Sequence, residues 1–118
     1  MNSPIVEKSY AFALRIIKMY QHLSEEKREF ILSKQVLRAG TSIGANVREA
    51  TGAQSENDFL SKYAIAYKEA KETEYWLLLL RDSGFLSPKS SESILKDCTE
   101  LIKMLGSAIA TLKRKSPR

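Results

Sequence analysis

Four glutamates, Glu49, Glu69, Glu72 and Glu74, and one histidine, His22, are the side chains here with most chemical potential if a fold gathered them. Carboxylates on facing helices of a bundle can hold paired iron or manganese ions. Such centres also take a Glu-x-x-His pair from each of two helices. His22 is alone and follows Met19 rather than a glutamate, so neither a metal centre nor a cofactor is expected. Nucleophilic catalysis has no better footing. No serine or cysteine lies in an elbow motif, and one histidine on a polar helix face cannot specify a triad. Gly40-Thr-Ser-Ile-Gly44 has two glycines like a phosphate loop, but it lacks the Gly-Lys-Ser/Thr ending and sits inside a helical pattern. The chain therefore reads as non-enzymatic, with Glu69 and Glu72 pairing with Lys62, Lys68, Arg38 or nearby hydroxyls.

The elements that must position these residues are helices. Hydrophobic periodicity predicts an all-α, antiparallel up-down-up-down four-helix bundle, with helices at roughly 4–23, 34–52, 55–82 and 88–114. In the first, Phe12, Ile16, Met19 and Leu23 form one stripe beside Val6, Tyr10, Ala13, Ile17 and Tyr20. Its remaining side is basic, through Lys8, Arg15, Lys18 and His22, and is either a solvated face or a surface for phosphate. Ser24-Glu-Glu is expected to open a short turn, and Ser33 to cap the second helix. Ser55-Glu-Asn-Asp58 has capping-box form, and Ser87-Pro88 reads as a cap followed by a first-turn proline. Glycine lowers helix stability by about 1 kcal/mol relative to alanine. Gly40 and Gly44, one turn apart, therefore imply close approach of a neighbouring helix or subunit. Apolar faces this wide leave surplus surface, which points to oligomer contacts at the Gly40/Gly44 face, Tyr10, Tyr20, Tyr63, Tyr67 and Tyr75. Trp76 serves either the core or such an interface.

At 118 residues, with 43% hydrophobic and 28% charged residues, the chain fits one globular domain with a short basic tail. The single cysteine, Cys98, lies among Ile94, Leu101 and Leu105 and reads as a small core residue in a reducing compartment. No signal-like leader and no membrane-length apolar run is visible, so a cytoplasmic protein without membrane contact is expected. Net charge is +5, most of it from Lys113, Arg114, Lys115 and Arg118, which leaves a nearly neutral body. That tail, together with Lys8, Arg15 and Lys18, supplies the candidate contacts to RNA or DNA.

The run Gln35-Val-Leu-Arg38-Ala-Gly-Thr-Ser42-Ile-Gly-Ala-Asn46-Val-Arg-Glu49-Ala, then Ser55-x-x-Asp58-Phe59, then Ile65-Ala-Tyr-Lys-Glu69-Ala-Lys-Glu-Thr-Glu74-Tyr-Trp-Leu, resembles a known family. These are small bacterial four-helix bundle proteins encoded within intervening sequences of 23S ribosomal RNA genes. Lys8-Ser-Tyr-Ala-Phe-Ala-Leu-Arg-Ile-Ile is similar to the family's first helix and Glu100-Leu-Ile-Lys-Met-Leu to its fourth, so nearly the whole chain is covered. The resemblance implies a ring-like homopentamer without enzymatic activity. It also implies that Gln35, Arg38, Ser42, Asn46, Glu49, Ser55, Asp58, Glu69 and Glu74 are signature positions of mainly structural role. A related branch serves diversity-generating retroelements, which would make a reverse transcriptase and nucleic acid partners. This chain departs from that branch in its nearly neutral body, and from many relatives in having Ala50 where they carry glycine.

Overall fold

The computed structural model describes residues 3–115 and contains four helices: α1 (Pro4–Glu25), α2 (Leu32–Ala50), α3 (Glu56–Asp82) and α4 (Pro88–Lys115). α1 opens on Ser3, whose hydroxyl accepts the Val6 N–H, with Pro4 in the first turn. It runs past the expected end at Leu23. Ser24 starts no new turn; its hydroxyl donates back to the Tyr20 carbonyl at 2.8 Å and continues the helix. The chain then reverses through Arg28 at φ +56°, with the guanidinium 5.3 Å over the Phe30 ring.

α2 begins two residues before the expected Lys34 because Ser33 is not its cap. The Glu29 carboxylate accepts the N–H groups of Ile31, Leu32 and Ser33 at 3.2, 2.9 and 2.7 Å. The Ser33 hydroxyl is buried and donates to the Glu29 carbonyl at 2.7 Å. A carboxylate here satisfies otherwise orphaned donors and meets the positive end of the helix dipole. Burial pushes the Glu29 carboxyl up, but the backbone donors of Leu32, Ser33 and Ile31 outweigh it and hold the group below its ordinary value.

The remaining caps follow the sequence. Ser55 Oγ accepts the Asp58 N–H at 3.0 Å, while the Asp58 carboxylate reaches back to the Gln54 N–H at 3.2 Å. α3 ends where Gly84 adopts φ +87° and the Phe85 N–H donates to the Leu80 carbonyl at 2.9 Å. That is the glycine-dependent Schellman closure. Ser87 Oγ accepts the Ser90 N–H at 3.1 Å and caps α4.

Cross-helix pairs set the direction of every neighbour. Ile16 lies against Gly40 and Ser9 against Gly44. Arg38 reaches Glu69 and Glu72, whereas Glu49 reaches Lys62. Lys8 reaches Glu100, and Arg15 reaches Asp97. In each pair of helices, numbers rise on one side as they fall on the other, which makes an antiparallel bundle of 49 × 24 × 21 Å. α2 and α4 each pack between α1 and α3, and the α1–α4 contact is the smallest.

The core is built from Phe12, Ile16 and Leu23 of α1 with Val36, Ile43 and Val47 of α2; Leu77 and Leu80 of α3 and Leu101 and Leu105 of α4 complete it. Full burial of side chains this size stabilises by roughly 1.5–3 kcal/mol each. Cys98 belongs to the same core, its Sγ 3.4 Å from the Ala70 carbonyl. Burial first, and the nearby Glu74 charge second, push its thiol up to about 12. It is a packing residue, held protonated and away from solvent.

The glycine pair is also explained inside the subunit. A Cβ on Gly40 would stand 2.8 Å from Ile16 Cγ1, and one on Gly44 would stand 3.3 Å from the Ser9 carbonyl oxygen. Ile16 is fully buried and β-branched, so it cannot swing aside. The face expected to meet another subunit is thus consumed by α1.

Candidate functional site

The signature polar residues line the edge of the α2–α3 seam rather than a core. Arg38 Nη2 donates to Glu72 at 2.6 Å and Nη1 to Glu69 at 3.2 Å. Glu72 also accepts the Trp76 indole N–H at 3.0 Å. The indole donor first, then Arg38, hold the Glu72 carboxyl below its ordinary value, and the Glu72 hydrogen bond raises the Arg38 guanidinium. Beneath Arg38 the polar side chains fold back on their own helix. Ser42 donates to the Arg38 carbonyl at 2.7 Å and Asn46 to the Ser42 carbonyl at 2.9 Å. Glu49 closes the row with Lys62 at 3.0 Å. Gln35 is exposed, and Glu74 pairs within α3 with Lys71 at 3.6 Å. Among the described residues, no buried side-chain nitrogen or oxygen lacks a partner, and no three His, Cys, Asp or Glu side chains gather to hold a metal ion.

Glu72 is the hub of this edge. In the sequence it reads as one of four candidate metal carboxylates and as a pairing partner beside Glu69. Its distinguishing signal is the Trp76 four positions later, an indole donor one turn away on the same helix face.

Along the α1–α4 seam the basic stripe of α1 meets an acidic patch of α4. Lys8 sits 2.7 Å from Glu100 and 3.8 Å from Asp97. Arg15 binds Asp97 at 2.6 Å and the Ser93 hydroxyl at 3.0 Å. Those two cations, expected to face solvent or phosphate, are committed to α4. Lys18 and His22 lie beyond the last acid and remain exposed; His22 Nδ1 is 3.6 Å from Glu26. Lys113, Arg114 and Lys115 end α4 at the opposite end of the bundle, exposed, while Arg118 lies outside the described residues.

The expected oligomer residues divide sharply. Tyr63 is buried, stacks on Phe59 at 4.6 Å between centroids, and has its hydroxyl pushed up by burial. Tyr67 is half-buried over Gly106, and Trp76 is half-buried with its edge against Tyr75. Tyr75 remains outside at 56% exposed. The other exposed large apolar residues are Tyr10, Leu14 and Ile17, at 63%, 49% and 38%, Phe30 and Ile31 in the loop that follows α1, and Ile65 of α3 at 41%. The first three lie on one face of α1. Leu14 is the member that the sequence reading missed.

Fold and polar seams together define an antiparallel four-helix bundle whose conspicuous charged residues fasten neighbouring helices. The chain belongs to the 23S rRNA-intervening sequence protein family, which it matches over residues 1–107. It is also similar to a protein of unknown function from the S23 ribosomal protein family of Bacteroides thetaiotaomicron VPI-5482, whose crystal structure was determined at 1.70 Å resolution. The two are 52% identical and superpose with a TM-score of 0.88, covering 89% of this chain and 97% of that one. No curated protein matches the chain. Among the described residues no helix is long and apolar enough to cross a membrane.

Proposed function

We propose that this protein is a non-enzymatic, cytoplasmic, self-associating helical module that binds RNA or DNA once assembled. The observation that carries the reading is the stripe Tyr10, Leu14 and Ile17, exposed on a face of α1 that the rest of the bundle leaves uncovered. A large contiguous apolar patch on a folded subunit marks an interface, and in a ring the stripe of one copy meets a different face of the next copy. The homopentamer implied by the family resemblance is the assembly proposed.

Assembly changes what the basic end can do. Lys113, Arg114, Lys115 and Arg118 offer little attraction singly, whereas a ring of five would present about twenty such charges to a polyanion and release counterions on binding. Filter binding of structured RNA and single-stranded DNA at low salt tests this. Retention should fall steeply as salt rises and should weaken when residues 113–118 are removed. No retention at low salt, or retention indifferent to that deletion, would refute the tail's role.

The same stripe also fits a second reading, a protein-interaction scaffold without nucleic acid. Pull-downs with and without nuclease separate the two. A partner such as a reverse transcriptase that survives nuclease treatment and high salt supports the scaffold; a partner lost on both treatments supports the nucleic-acid reading.

A further inference from the structure

Helices α1 and α4 meet as an antiparallel ladder whose chemistry changes partway along. From Lys8 to Arg15 the α1 cations face Glu100 and Asp97 and are neutralised. One turn further, α4 presents Ser93, Ser90 and Lys89 in place of acids, and the two helices part to form a groove of about 560 Å³. Its polar rim is Arg15, Lys18 and His22 from α1 with Lys89 from α4, and among the described residues Lys18 and Lys89 are its unpaired cations. Its apolar floor is Met19, Leu86 and Ile94. No carboxylate is among the lining residues, and α4 has no acidic residue in its first turn. Asp97 is held by Arg15 and Glu26 lies beside His22, while Glu92 of α4 is exposed and outside the lining. Among the described residues Lys18 and Lys89 have no ion-pair partner, so their positive charge is open to an incoming anion.

We propose that this groove is a binding site for single-stranded nucleic acid, with phosphates held at Lys18 and Lys89 and base faces laid on the Met19, Leu86 and Ile94 floor. The inference rests on the nucleic-acid part of the proposed function and assigns it a second contact, at the end of the bundle opposite the basic tail. Three features select the occupant. A cationic rim with hydroxyls suits phosphate oxygens. Met19, with the exposed edges of Leu86 and Ile94, offers an apolar contact surface that reads no base edge. A groove of about 560 Å³ is sized for a short single-stranded segment rather than a duplex.

The test is fluorescence anisotropy of dye-labelled oligouridine with the full chain, between about 50 and about 200 mM salt. Replacing both Lys18→Ala and Lys89→Ala should weaken binding on the order of tenfold and reduce the log–log salt slope by about 1.4, the value for two single-strand phosphate contacts. Lys68→Ala with Lys71→Ala, the same charge change on α3, should leave affinity within about twofold, as for sites away from phosphate. Circular dichroism melting should be unaltered by either pair, since all four lysines lie outside the core.

Equal losses from both pairs would overturn the groove assignment. So would equal competition by polyglutamate of matched charge, which would make the site one for acidic peptides. If wild type binds and only deletion of residues 113–118 weakens binding, the groove assignment fails while the proposed function stands. If wild type does not bind at all, both fail together.

Discussion

Against α2, helix α1 packs closely through two glycines, Gly40 under the Ile16 side chain and Gly44 against the Ser9 backbone, whereas against α4 it packs through charge, with Lys8 and Arg15 facing Glu100 and Asp97. The first seam is fully buried at Ile16, where a Cβ on Gly40 would stand 2.8 Å from the Ile16 side chain. The second is partly solvated, makes the smallest helix–helix contact and opens into a cationic groove at one end. One helix therefore carries both a fold-determining face and a face left available to partners. Stability should reside in the first and binding in the second, and substitutions on the two sides should separate cleanly.

The largest effect is expected at Ile16. Ile16→Ala should destabilise by about 2–5 kcal/mol, as buried aliphatic truncations do. Gly40→Ala should destabilise by about 1–3 kcal/mol through overpacking, despite the better helix propensity of alanine. Combining them sharpens the comparison. With Ile16 truncated, the added methyl has room, so Gly40→Ala should become neutral or stabilising by up to about 1 kcal/mol in urea unfolding. Simple addition of the two single effects would show that the close α1–α2 approach is misassigned.

A smaller loss, about 1 kcal/mol, is expected for Glu29→Gln at the α2 cap. The folded-state carboxyl lies below its ordinary value. Its contribution is therefore present above the unfolded-state carboxyl range and disappears as pH falls through the folded-state value. Melting curves of wild type and variant should be separated at neutral pH and converge on acidification. A gap that widens at low pH would contradict the cap. Smallest of all is Arg15→Ala on the α4 side, expected to alter stability by under about 1 kcal/mol and less at high salt, as for other exposed ion pairs.

What was legible in the sequence was chemistry that acts within one turn. Ser55 with Asp58, Ser87 with Pro88, and Gly84 each announce a helix end through local hydrogen bonding, and the structure realises all three. Ser24 and Ser33 were misread for the same reason. A serine hydroxyl can cap a helix or bond back to a carbonyl one turn earlier, and in both residues the second option prevails. Glu29 escaped notice because glutamate is not a usual cap residue; its longer side chain reaches three backbone donors once the Arg28 turn aims it.

The surfaces were less legible. Periodicity showed that α1 has two apolar stripes, but only the placement of α2 and α4 decides which is covered. Phe12 and Ile16 are buried, while Tyr10, Leu14 and Ile17 remain outside. Tyr63 reads both as part of the α3 seam with Ala66 and Ala70 and as a candidate oligomer contact, and within the subunit it is a core residue. Lys89 had no visible partner in sequence because the groove depends on α1–α4 register, a relationship between residues more than sixty positions apart.

The most direct test of the exposed Tyr10, Leu14 and Ile17 stripe of α1 as a self-association face is sedimentation equilibrium of wild type and Leu14→Glu at micromolar concentration, with thermal unfolding measured alongside. The predicted result is a wild-type mass several times the 13.3 kDa subunit, and a Leu14→Glu variant that is equally folded but sediments near 13.3 kDa. A wild type that sediments as a 13.3 kDa monomer, or a Leu14→Glu variant that assembles as fully as wild type, would contradict it.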